Sequence, residues 1–463
     1  VKRATWLAIA LLTALGLALR LLAAQGALWL DEAWSATAAA DVGTPLGVFL
    51  QINHDNNHHL NTLWLQLVGL DASPMLQRGL SILTGTLAIP MAAMIAARQG
   101  SASAIVAALL FAVSPLLVTY GAEARGYAPM VLAMLATMWL VSRWLDDTRA
   151  PAPAIPIAVV VLLGMFSQLT MAFGLAAMGL WVCWVLFRRE SPGDAARAAM
   201  RILLPAALPA MLALAIVLGA AHAAGTGLRI GNYEPFSLGA LLHGFGAMAL
   251  ATLGGQIALL ALVLIAPPDS PATGDGKGRD RIFFGLVLLI PLGIALAQIG
   301  NSGAPRYHLL SGVALLMLVA LNSGPRLAPN RASRWPAGAA LALVTIMSLV
   351  TDWRLIGNRR ADPGQAVERL IATGTHEVAV EQSRSAAVLR AAAATHRHAL
   401  TVIETPCPAP RYLFIDRDGD APFPDPARRC GASYGMVAGG SPAGLSGNHW
   451  RLYERISPPL TAN

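Results

Sequence analysis

Residues 5–24 read TWLAIALLTALGLALRLLAA, and residues 29–35 just beyond them read WLDEAWS. A run of about 20 mostly apolar residues is what a helix needs to cross a bilayer. The adjacent carboxylates of Asp31 and Glu32, set between Trp29 and Trp34, then stand immediately outside that span. Further apolar runs follow at 76–97, 102–119, 127–145, 154–168, 171–187, 200–221, 239–266, 282–299, 307–322 and 336–351. The expectation is an α-helical polytopic membrane protein with about 11 transmembrane helices. Composition agrees: of 463 residues, 56% are hydrophobic and only 13% charged, against about 25% charged in a soluble domain. The net charge of +8 is spread over scattered arginines, Lys2 and Lys277 being the lysines. No dense basic block forms, so no nucleic-acid partner is expected. Three cysteines exclude a disulfide scaffold or a cysteine-rich metal protein.

The segments between the apolar runs alternate in charge. One set holds fifteen basic residues, among them Lys2, Arg3, Arg98, Arg143, Arg188, Arg279 and Arg326. The other set, before residue 352, holds Arg78, Arg125, Arg229 and Arg306, with Arg20 at the end of the first span. The positive-inside rule puts the first set and the amino terminus in the cytoplasm. An odd number of spans then places everything after Thr351 outside, in a bacterial inner membrane. A cleaved signal peptide is the other reading of the first run, because Lys2 and Arg3 precede it. Arg20 interrupting its apolar core argues for a retained span.

Residues 1–354 thus form the transmembrane domain, with a first outward loop at about 26–74, and residues 355–463 a small extracytoplasmic α/β domain. Asp362-Pro363 opens a helix there. Helices at Ala366–Thr373 and Ser383–Arg397 and strands at His376–Gln382, Ala399–Glu404, Arg411–Arg417 and His449–Ile456 follow from the patterning. Cys407 and Cys430 both lie outside, where a disulfide is permitted; two unpaired buried thiols are the alternative. Asp416, Asp418 and Asp420 alternate as in a calcium loop, but the distal Glu is missing, so a plain acidic turn is expected.

The chemistry-bearing residues gather in the outward loops. Asp31 and Glu32 offer a carboxylate near the interface, able to take a proton from an acceptor hydroxyl; the plainer reading is a solvated acidic pair in an aromatic belt. Twenty residues on comes Asn53-His54-Asp55-Asn56-Asn57-His58-His59-Leu60-Asn61-Thr62. His54 and His58, one helical turn apart, could ligate a divalent metal, or this segment could hydrogen-bond a sugar or phosphate. Its substrate-binding candidates are His54, Asp55, Asn57, His58 and His59. Arg125, in Tyr120-Gly121-Ala122-Glu123-Ala124-Arg125-Gly126-Tyr127, and Arg306, in Pro305-Arg306-Tyr307-His308, are outward arginines beside tyrosines. Such a guanidinium either snorkels or holds a lipid phosphate.

These four motifs, in this order, resemble the GT-C superfamily of membrane glycosyltransferases. More narrowly they are similar to bacterial family 39-like members related to protein O-mannosyltransferases and to the lipid A aminoarabinose transferase. The resemblance covers roughly residues 1–350. It implies juxtamembrane helices in the first outward loop and a polyprenyl-phosphate-linked sugar as donor. It places Asp31 on the catalytic acid with Glu32 beside it, Arg306 with Tyr307 near the donor phosphate, and Glu123 and Arg125 on the second outward loop, where Arg125 is a further phosphate candidate and Glu123 and Tyr127 are substrate-binding candidates. Many relatives carry His-Pro-Pro-Leu where this chain has Asn57-His58-His59-Leu60, so the roles of His58 and His59 do not transfer.

The function expected is a glycosyltransferase that moves a sugar from polyprenyl phosphate, outside the membrane, to a hydroxyl of a glycan, lipid or protein. The alternative is a transporter or lipid flippase. Such proteins carry internal repeats and ionisable residues within their spans, and this chain concentrates its polar residues in loops instead. A polysaccharide ligase using similar donors and a non-catalytic scaffold binding cell-wall polymer are further alternatives.

Overall fold

The computed structural model of the chain describes all residues except 1, 226, 230, 232, 262–275, 329, 420 and 457–463. The end of the expected run 239–266 and Asp420 therefore lie outside the described residues. Two compact units emerge, one of residues 1–20, 53–60 and 80–352, the other of 21–52, 61–79 and 353–463.

The first unit is helical. Among the described residues, five helices are long and apolar enough to cross a membrane: Arg3–Ala23, Gly79–Gln99, Pro192–Ala223, Pro305–Arg326 and Arg334–Ala361. Shorter apolar helices lie at Ser101–Val113, Ala154–Ser167, Met171–Phe187 and Leu238–Leu253. The shortening has local causes. Run 102–119 breaks at Ser114, which is extended because Pro115 follows it and opens a new helix. Run 239–266 breaks where Gly254 turns left-handed after Leu253. Run 282–299 breaks before Pro291.

Helices Ser101–Val113 and Leu309–Arg326 pack together and are almost wholly buried. Their closeness requires glycine at 324, where a β-carbon would stand 2.1 Å from Ser103 Oγ. Elsewhere large apolar side chains face outward, Ile155 at 78% and Met211 at 64% exposure among them. Water would penalise such a surface and lipid does not, so the chain is an integral membrane protein.

The second unit is built on a six-stranded sheet of order β2-β1-β3-β6-β5-β4. Its strands are β1 (Glu377–Val380), β2 (Thr401–Ile403), β3 (Tyr412–Arg417), β4 (Ala427–Arg429), β5 (Ala432–Gly440) and β6 (His449–Arg455). The β2-β1-β3 half is parallel and the β3-β6-β5-β4 half antiparallel. Helices Gly364–Ala372 and Ser383–Thr395 cover one face, burying Val367, Leu370 and Leu389 with Phe414, Trp450 and Leu452. Ala379, Leu413, Ile415, Tyr434 and Tyr453 form the core on the other face. Cys407 and Cys430 are joined in a disulfide, with Cα atoms 5.5 Å apart. Arg384 closes the acidic turn, bonding Asp418 at 2.7 Å and meeting Asp416 at 3.1 Å. Helix Leu30–Val42 packs on Ser383–Thr395, which is why residues 30–42 belong to the second unit.

Candidate active site

Asp31 and Glu32 sit in the first turn of helix Leu30–Val42, where the helix dipole favours negative charge. Their surroundings differ. Asp31 is half-buried, whereas Glu32 is shut off from solvent and reaches back to accept from the Trp29 backbone N–H at 3.2 Å. Arg78 holds the Glu32 carboxylate with two bonds, from Nε at 2.9 Å and from Nη2 at 2.6 Å. The same guanidinium donates to the carbonyls of Ala24, Gly26 and Ala27 at 2.8 to 2.9 Å. Asp362 accepts from Ala27 N–H, and Asn448 from Leu30 N–H. The turn that delivers Asp31 is thereby fixed from several directions. Arg78 stood out in the sequence only as an outward arginine, and nothing there pointed to Glu32 as its partner.

The remaining candidates lie in the first unit. Residues 53–55 pair with the segment around Arg229, with Asp55 N–H donating to the Arg229 carbonyl at 2.8 Å. Asp55 Oδ1 lies 2.8 Å from His54 Nδ1. Burial alone would raise the Asp55 carboxyl, but the His54 hydrogen bond and charge, the Gly231 N–H and the Arg306 guanidinium hold it below its ordinary value.

His58 is buried, and its Nδ1 lies 3.0 Å from the Ser167 carbonyl. Its ring meets Tyr127 edge-on at 5.2 Å, and Tyr127 meets Tyr120 at 4.7 Å. Arg125 lies over the Tyr127 ring at 4.9 Å and donates to Asn56 Oδ1 at 2.6 Å. Burial first, and the Arg125 charge second, push the His58 imidazole well below its ordinary value, so the ring is neutral at pH 7. His59, packed on Phe166, is pushed down to about 4 by burial. Gly126 makes the approach feasible, since a β-carbon there would stand 1.7 Å from the Ser167 oxygen.

Arg306, on the short 3-10 turn Pro305–His308 and 5.9 Å from the Tyr307 ring, acts electrostatically on Asp55, His58 and Tyr120. Glu123 is fully buried and acts on Tyr120. The fold thus brings Asp55, His58, Arg125, Tyr127 and Arg306 together from three separate segments of the first unit. Asn57 is half-buried. Asn56, its neighbour, accepts from Arg125, and nothing in the residue pattern singles it out over Asn57. The metal reading of His54 and His58 fares differently. His58 turns Nδ1 to a carbonyl, and among the described residues no group of three or more His, Cys, Asp or Glu is placed to hold an ion.

Arg20 does not snorkel. It is buried, donating to the carbonyls of Gly16 at 2.9 Å and Phe111 at 3.1 Å, and it lines a small internal cavity with Leu117, Tyr120 and Leu309. Asp352, also buried, acts on it electrostatically.

No family model matches the chain, and no curated protein sequence does. Among solved structures, ArnT from Cupriavidus metallidurans bound to undecaprenyl phosphate is similar at a TM-score of 0.54 and 13% identity, over 97% of this chain and 98% of that one. The fold, membrane helices and carboxyl-terminal sheet together, is that of this ArnT structure.

Proposed function

We propose that this chain is a membrane glycosyltransferase of the GT-C kind that takes a sugar from a polyprenyl-phosphate donor and passes it to an acceptor hydroxyl on the extracytoplasmic side. The observation that carries the reading is the convergence of two guanidinium groups, Arg125 and Arg306, on the segment that holds Asp55 and His58. Two cations with tyrosines alongside suit a phosphate monoester or diester. A similar fold has been solved with undecaprenyl phosphate bound, which supports a lipid phosphate as the ligand.

In the reaction proposed, the acceptor oxygen bonds to the anomeric carbon as the bond from that carbon to the phosphate oxygen breaks. The acceptor proton passes to Asp31, and the electron pair leaves with polyprenyl phosphate, whose charge Arg306 and Arg125 stabilise. A single displacement inverts the anomeric centre. Glu32, engaged by Arg78, positions the helix that carries Asp31 and takes no proton. The amino terminus is cytoplasmic and residues 355–463 are extracytoplasmic, where they select the acceptor. No metal step is included.

The test uses purified protein in detergent with a radiolabelled polyprenyl-phosphate sugar and an acceptor extract, comparing wild type, Asp31→Asn and Arg306→Ala. Asp31→Asn should bind donor and release no label, and Arg306→Ala should bind donor poorly. Unchanged release in Asp31→Asn removes that residue from the chemistry. A wild type that neither binds nor turns over any such donor leaves transport as the function to test.

A further inference from the structure

The donor reading leaves one buried group without a task. A carbonyl oxygen can only accept, so the 3.0 Å contact to Ser167 places the His58 proton on Nδ1. Nε2 on the other side of the ring then carries a bare lone pair. It is fully buried, and it has no hydrogen-bond partner among the described residues. A second proton there would set a positive ring beside Arg125 and Arg306, both of which oppose it. An unfilled buried acceptor is costly, and such groups recur where a ligand supplies the missing donor. The surroundings are held in place. Gly126 leaves room for the Ser167 carbonyl, Tyr127 fixes the ring edge-on at 5.2 Å, and Asn56 ties Arg125 at 2.6 Å.

Resting on the donor reading above, we infer that His58 is a sugar-recognition residue whose Nε2 accepts a hydrogen bond from a hydroxyl of the donor's sugar ring. A neutral acceptor beside two cations suits a neutral hydroxyl donor. It gives nothing to a phosphate oxygen, which also only accepts. The site therefore divides its work, with guanidinium groups for the lipid phosphate and the imidazole for the sugar. Discrimination comes from the lone pair, because a ring without a hydroxyl at that point leaves it unfilled.

Two near-isosteric substitutions separate the ring's two nitrogens. His58→Asn keeps an N–H near the Nδ1 position for Ser167 and removes the Nε2 acceptor. His58→Gln sets an amide oxygen near Nε2 and gives up the Ser167 bond. Binding to the full chain in detergent is measured with bare undecaprenyl phosphate, then with undecaprenyl phosphate carrying mannose, glucose or aminoarabinose. Bare lipid should bind wild type and both variants alike, which also reports intact folding. At least one sugar-bearing lipid should bind wild type more tightly than bare lipid. That gain should fall roughly 10-fold in His58→Asn and return in part in His58→Gln. If His58→Asn keeps the whole gain, or weakens bare lipid equally, His58 is not a sugar contact. A wild type that binds bare lipid and gains nothing from any sugar overturns the inference alone. A wild type that binds neither form overturns the donor reading and this inference with it.

Discussion

Arg78 and Glu32 form a two-bond ion pair, 2.9 and 2.6 Å, with both side chains fully closed to solvent. One turn of helix therefore carries two carboxylates in opposite situations, Glu32 enclosed and Asp31 half-buried. Removing one partner of a buried pair strands the other charge, at about 3–5 kcal/mol. Arg78→Ala should lower the thermal midpoint in detergent steeply, and Asp31→Asn should leave it near wild type. A Glu32→Gln protein with a wild-type midpoint and no transferase activity would return Glu32 to the chemistry.

The pH dependence of stability follows from His59. Its folded pKa of about 4 lies below the ordinary value of 6.5, so between those limits the unfolded chain binds the extra proton. Stability contributed by the neutral ring is present above pH 6.5 and is lost as pH falls toward 4, with about 3 kcal/mol as a ceiling. His58, also held well below its ordinary value by burial, acts in the same direction. Denaturation midpoints measured from pH 7 down to 4 should decline, and His59→Phe should flatten the slope.

Gly126→Ala tests how the His58 ring is seated. A β-carbon 1.7 Å from the Ser167 oxygen and 3.0 Å from His58 Nδ1 has nowhere to go. Overpacking of this kind costs about 1–3 kcal/mol, or more where backbone is the obstacle. The variant should lose sugar-lipid binding even where protein of normal helicity is recovered. Normal binding would mean that the two outward segments are less tightly apposed.

The Cys407–Cys430 bridge closes a loop with a sequence separation of 23. Cross-links of that size stabilise by about 2–4 kcal/mol. Cys430→Ser, or reduction of the wild type, should lower the unfolding midpoint of the carboxyl-terminal sheet. Hydrogen exchange in β3 and β6 reads this directly, and unchanged protection there would show the bridge to be dispensable.

Much of the fold was legible because lipid imposes a crude and readable rule. Long apolar runs mark helices, and each of the eleven runs falls on helical segments where it is described. Their interruptions were harder to read, because Pro115 and Gly254 act through backbone geometry and leave mean hydropathy unchanged. In the carboxyl-terminal unit β1, β2, β3 and β6 showed their alternation. By contrast, β5 carries Gly435, Gly439 and Gly440, which erase it, and the short β4 went unread with it. Within the site, His58, Arg125 and Arg306 were visible as polar residues out of place. Ser167 as the partner of His58, Asn56 as that of Arg125 and Arg78 as that of Glu32 were not, since a long-range pair leaves no period in the chain.

The anchoring of helix Leu30–Val42 also sets a timetable. Leu30 and Asn448, joined by a 2.6 Å bond, are 418 positions apart. At roughly 5–20 residues per second, the ribosome delivers the second roughly 20–80 s after the first. Until residues 362 and 383–395 are made, late in that interval, the Ala27 N–H has no Asp362 and helix Leu30–Val42 no Ser383–Thr395 to lie against. The segment bearing Asp31 must wait for these distant residues to be translated before its anchors can form. A stop placed before Asn448 would thus leave the Leu30 N–H without that anchor, an effect on the amino-terminal segment from a change far along the chain.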